Sequence, residues 1–138
     1  MTHEQIGHIR NSWSLLASAT DDVATLFYAR LFELDPTLSG MFASANMQEQ
    51  GDKLVHMLTL IVRGFDNLPQ LLPSVESLGR RHSSYGVVEK HYDTVGQALL
   101  WTFQRVLGPS FSAEAHDAWA HAFGTLADVM KRAARQVA

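Results

Sequence analysis

The chain contains no cysteine. Disulfides, thiolate zinc sites, iron–sulfur clusters and thioether-linked prosthetic groups are therefore excluded. There is no basic excess either: 11 lysines and arginines stand against 14 aspartates and glutamates, a formal net charge of −3. That balance argues against a nucleic-acid partner. No apolar stretch approaches the length needed to span a bilayer, so no integral membrane segment is expected. The opening residues 1–13 lack the basic run and apolar core of a signal peptide, and a cytoplasmic location is compatible. Strand-like alternation and solenoid-period repeats are also missing. What is present is an apolar fraction of 46% in 138 residues. That composition suits one globular domain, residues 1–138, able to bury one substantial core.

Helical periodicity fills the chain. Thr2 with Gln5 reads as a capping box, and Ile6, Ile9, Trp13 and Leu16 then mark one face. A polar break at residues 18–22 offers Thr20 or Asp21 as the next cap. A second helix runs to about Leu34 and stops at Asp35-Pro36. Pro36 suits the first turn of a short helix ending near Phe42. Residues 43–50 read as a loop, and a long helix from about Glu49 to Phe65 carries Leu54, Leu58, Ile61, Val62 and Phe65. Asn67-Leu68-Pro69 breaks it. The next helix centres on residues 71–85 with Pro73 near its start, and Gly86 ends it. Val87 to Leu107 forms a further helix, stopped by Gly108-Pro109. Ser112 caps the last one, which passes through Trp119, Phe123, Leu126, Val129 and Met130. About seven helices of uneven length suggest an all-α fold with helices crossing around a pocket.

One stretch stands out, residues 71–85. Leu71, Val75, Leu78 and His82 draw a stripe down one helix face, and His82 is its only titratable member. An imidazole there is either a core histidine with a hydrogen-bond partner or a metal ligand.

Four segments bear on that choice: LFYARLFELDPTLSGMF (26–42), NLPQLLPSVESLGRRHSSYGV (67–87), HYDTVGQALL (91–100) and DAWAHAFGTLADVM (117–130). In this order and spacing they resemble the globins, and closely the bacterial single-domain haemoglobins and the globin module of flavohaemoglobins. The resemblance covers the whole chain. It implies a three-over-three helical sandwich around haem b.

On that resemblance His82 is the proximal iron ligand, its other ring nitrogen held by a backbone carbonyl near Leu78. Phe42 packs on the haem face. Tyr28 is the distal tyrosine, Gln50 the distal glutamine and Leu54 the distal leucine. Gln50 and Leu54, at i and i+4, share a helix face. Gln48 is the alternative register for Gln50. Gly51 suits a close approach of two helices or of the haem edge. Lys53 and Arg81 either pair with the haem propionates or decorate a solvated face. Tyr92 belongs to a proximal network that in the family ends on a glutamate. The matching position here is Gln136, an amide without charge, which weakens any peroxidase-like activation. His56 is expected to face away from the iron. His3, His8, His91, His116 and His121 are expected to be surface or boundary residues.

The function implied is reversible dioxygen binding, for storage, delivery or scavenging, with release slowed by donors at Tyr28 and Gln50. The alternative is nitric oxide dioxygenation. It would need an external reductase, because no flavin and nicotinamide domain is fused here. Nitric oxide and carbon monoxide are expected as further gas ligands. A separate flavin reductase and a second copy of the chain are the protein partners the resemblance leaves room for. A gas sensor would need an output domain, and a helical adaptor without haem is the remaining alternative.

Overall fold

The computed structural model describes residues 1–136; residues 137 and 138 of the expected domain lie outside that range. Six α-helices follow one another: α1 His3–Leu16, α2 Thr20–Leu34, α3 Met47–Gly64, α4 Leu68–Ser84, α5 Glu89–Leu107 and α6 Ala113–Arg135. Short 3₁₀ turns join them at Ala17–Ala19, Pro36–Phe42, Phe65–Asn67 and Gly108–Ser110. The described residues contain no strand. The seventh expected helix is the Pro36–Phe42 turn.

Local chemistry explains most boundaries. Thr2 and Gln5 form the expected reciprocal cap of α1. Ser112 caps α6 by accepting from the Ala115 N–H at 3.0 Å. Asp35 ends α2 and accepts from the Thr37 N–H at 3.1 Å, which starts the Pro36 turn.

Three boundaries differ from the sequence expectation. Neither Thr20 nor Asp21 caps α2; the cap position is Ala19, with no side-chain bond, because the Ala17–Ala19 turn carries the chain almost continuously out of α1. The third helix starts at Met47, where Asn46 accepts from the Glu49 N–H at 3.2 Å. Gln48 and Gln50 therefore lie on α3 and not in a loop. The fourth helix begins at Leu68, with Pro69 in its first turn and Pro73 inside it. Proline at the start of a helix removes an N–H that has no intrahelical acceptor anyway, so Pro69 begins the helix where a break was expected.

The largest fully buried side chains include Trp119, Phe103, Ile9, Leu16 and Val23. Trp119 lies edge-on to Phe103 at 4.8 Å and tilts against Trp13 at 6.4 Å. Its indole N–H donates to Ser12 Oγ at 2.7 Å, and Ser12 donates in turn to the His8 carbonyl at 2.7 Å. This buried chain of bonds pins α1 to α6. On the other side α4 lies across α6, α2 across α5 and α3 beside α2. Two glycines permit the closest crossings. A Cβ on Gly79 would stand 2.6 Å from the backbone of Met130 in α6, and one on Gly51 would stand 2.9 Å from the Ala24 methyl in α2. The second contact bears out the helix-approach reading of Gly51. These crossings leave a cavity among α2, the Pro36–Phe42 turn, α3, α4, α5 and α6.

Candidate functional site

The cavity has a volume of about 250 Å³. Its walls are aliphatic and aromatic, with Phe27, Leu31, Leu58, Val75 and Leu99 among them. Four side chains bring polar atoms to it: Tyr28, His82, His91 and Tyr92.

His82 comes from the last turn of α4, on the stripe that includes Val75 and Leu78. Its Nδ1–H donates to the Leu78 carbonyl at 2.8 Å, the acceptor expected from helical spacing. That bond fixes the tautomer and leaves the Nε2 lone pair free. Burial pushes the imidazole below its ordinary value; the Leu78 bond opposes this, and the charge of Arg81 adds to it. The ring is thereby held neutral, the form that coordinates metals.

Tyr28 comes from α2. Its ring meets Phe27 edge-on at 4.9 Å and Phe42 edge-on at 5.6 Å. Its hydroxyl donates to the backbone carbonyl of Gln50 at 3.3 Å, a long bond. Burial pushes the phenol up to about 12, so it remains a protonated donor across the neutral range. Phe42 ends the Pro36–Phe42 turn, tilts against Phe32 at 5.6 Å and lines the cavity. Leu54, from α3, lines it as well.

The other expected residues divide between the cavity wall and the surface. Gln50 meets Tyr28 through its carbonyl, and its side chain is not part of the cavity wall. Lys53 and Arg81 are exposed and form no ion pair among the described residues. Tyr92 reaches the cavity from α5. Its hydroxyl is buried without a hydrogen-bond partner, and burial raises its pKa. Lys131 Nζ lies 5.9 Å from its ring centroid. Gln136 stands exposed at the end of α6 and makes no bond to Tyr92. His56 is exposed, lines a separate groove between α2 and α3 and is not part of the cavity wall, as expected.

His91 corrects the sequence reading. Expected at the surface or boundary, it is buried and lines the cavity. Its ring nitrogen Nδ1 accepts from the Val88 N–H at 3.1 Å, reaching back from the third residue of α5 to the residue before the helix. Glutamate and glutamine do this in a capping box, so a histidine three residues past a helix start was the signal available.

No group of three or more His, Asp or Glu side chains among the described residues could hold a bare metal ion. One imidazole with a free Nε2, that of His82, in a largely apolar slot would suit a metal that arrives with ligands of its own. The globin family model matches residues 25–130.

The chain belongs to the globin family.

A bacterial globin from Campylobacter jejuni is 27% identical, with a TM-score of 0.84 and coverage of 99% of this chain and 98% of that one. A Rhodothermus marinus protein described as a nitric oxide dioxygenase, engineered as a carbene transferase, is 25% identical. Its TM-score is 0.87, with 99% of this chain and 95% of that chain covered. A hexacoordinated haem protein from an anhydrobiotic tardigrade shares the fold at a TM-score of 0.89 and 15% identity, with 98% and 96% covered. The all-α globin fold, the likeness to bacterial haemoglobins, a haem cofactor and the binding of diatomic gases follow for this globin. The donor set fits that cofactor: His82 presents an imidazole with a free Nε2, Tyr28 a part-buried phenol donor, the Nδ1 of His91 is already engaged by the Val88 N–H, and aliphatic and aromatic side chains make up most of the remaining wall. No helix of the described residues is long and apolar enough to cross a membrane.

Proposed function

We propose that this globin binds dioxygen reversibly on haem b and releases it slowly. One observation supports the reading above the others. A neutral imidazole with a fixed tautomer and a high-pKa phenol line the same apolar cavity. When bound, haem iron supplies the coordination site for the gas and the redox chemistry of any further reaction. His82 would hold the haem iron through its free Nε2, with the Leu78 carbonyl orienting its ring. Phe42 and Leu54 pack the macrocycle and exclude water. Tyr28 would donate its hydroxyl to the partial negative charge of a bound gas in place of the Gln50 carbonyl, whose 3.3 Å bond is long. A second donor, the Gln50 side-chain amide, would have to rotate inward from its place off the cavity wall. Lys53 and Arg81, exposed and unpaired among the described residues, pair with the propionates. Tyr92, which lines the cavity, would pack beside the cofactor. The chain acts as one globin domain in the cytoplasm, and association into a homodimer completes the proposal.

A second reading is nitric oxide dioxygenation with a separate flavin reductase as electron donor. The likeness to a protein described as a nitric oxide dioxygenase favours it. Against strong activation stands the proximal side, where the Tyr92 hydroxyl has no carboxylate partner among the described residues.

The test is dioxygen release measured in the wild type and in Tyr28→Phe, followed by mixing of the oxygenated protein with nitric oxide. Losing a donor worth about 1–3 kcal/mol speeds release roughly five- to 150-fold. An unchanged rate refutes the donor role of Tyr28, and a sluggish reaction with nitric oxide removes the second reading.

A further inference from the structure

His91 is the most deeply buried of the four polar side chains on the cavity, and the gas chemistry proposed above leaves it unused. Because its Nδ1 accepts from the Val88 N–H, that nitrogen carries no proton and the neutral ring is protonated at Nε2. Nε2 faces Asp35 Oδ2 at 3.9 Å, a polar contact longer than a direct hydrogen bond. The other carboxylate oxygen of Asp35 is taken by Thr37, through its N–H at 3.1 Å and its hydroxyl.

The two ends of the imidazole thus reach two different walls. Val88 follows Val87, whose N–H donates to the His82 carbonyl at 3.1 Å. Asp35 opens the turn that brings Leu38, Met41 and Phe42 to the cavity. The same walls touch a second time: Met41 Cε lies 3.6 Å from the place of a Cβ on Gly86. From this we infer that His91 is a positioning residue: it ties the corner after His82 to the Phe42 turn and so sets the width of the haem slot. The inference rests on the reading of the cavity as the haem site.

The test uses the haem-loaded protein. Two quantities are measured: haem transfer to excess apomyoglobin, and the iron–histidine stretching band of the ferrous, ligand-free form. His91→Ala removes both the bond to Val88 and the polar contact with Asp35. It is expected to lose haem about tenfold faster, the rate equivalent of about 1.4 kcal/mol, and to broaden the band. In His91→Asn the side-chain oxygen stands near the place of Nδ1 and accepts from Val88, but nothing reaches Asp35. Asparagine is expected to restore the narrow band while haem loss stays intermediate, roughly threefold above wild type. Wild-type behaviour in His91→Ala overturns the inference, and so does an asparagine variant indistinguishable from alanine. If the alanine variant does not fold, the wild type decides through ¹⁵N shifts of the His91 ring. A proton on Nε2 with a slowly exchanging Val88 amide supports the tie, and a proton on Nδ1 overturns it. Failure of the underlying reading looks different: the wild type takes up no haem at all.

Discussion

Replacing Gly79 by alanine drives a methyl group into the backbone of α6. The new Cβ would stand 2.6 Å from both the Cα and the carbonyl oxygen of Met130. Carbon atoms in contact prefer about 3.5–4.0 Å, so the overlap is roughly 1 Å. Backbone atoms of a long helix cannot rotate away as a side chain would, so α4 has to lift off α6. Overpacking of this kind costs about 1–3 kcal/mol. Alanine gains back up to about 1 kcal/mol through helix propensity. The net is a destabilisation on the order of 1–2 kcal/mol, and the displaced helix carries His82 one turn further on. Urea unfolding measures the first effect, and the rate of haem loss measures the second. Gly124, inside α6, is the control because nothing lies within 4 Å of its Cβ position. Gly124→Ala is expected to stabilise by about 0.5–1 kcal/mol. If Gly79→Ala stabilises as Gly124→Ala does, the close crossing of α4 and α6 is refuted.

Two further outcomes follow from buried polar groups. Ser12→Ala strips the Trp119 indole of its acceptor in the core and is expected to cost about 1–3 kcal/mol in urea unfolding; an unchanged midpoint would mean the bond contributes nothing. The Tyr28 phenol is raised to about 12 from an ordinary value of about 10. Between those pH values the unfolded state has released its proton and the folded state retains it. Stability is therefore expected to fall as pH rises from about 10 to about 12, with a shallower fall in Tyr28→Phe. Chemical denaturation across that window, compared between the two proteins, checks the sign.

Periodicity and caps made the fold readable wherever a local rule acted alone. The Thr2 box, the Asp35-Pro36 stop and the Ser112 cap each rest on contacts within a few residues. Boundaries shifted where two signals competed, as at residues 67–69, where proline begins a helix as readily as it ends one. In the site, the His82–Leu78 bond was legible because both partners sit on one helix at i−4. The Tyr28 bond to the Gln50 carbonyl was not, because it joins α2 to α3 through a backbone atom that any residue would supply. The roles of Tyr28, Gln50 and Leu54 came from the resemblance alone. His91 was passed over because its two contacts reach different segments, and only one of them lies nearby in sequence. Gly79 was missed for the same reason: its meaning lies entirely in Met130, 51 positions away.

The central claim is that the free Nε2 of His82 is the protein's ligand to haem iron. The most direct measurement is the iron–histidine stretching band of the ferrous, ligand-free protein, recorded for wild type and for His82→Gly. The band is expected in the wild type, absent in the variant, and restored when imidazole is added to fill the space left by the side chain. A His82→Gly protein with normal haem content and an unchanged band, before any imidazole is added, would contradict it.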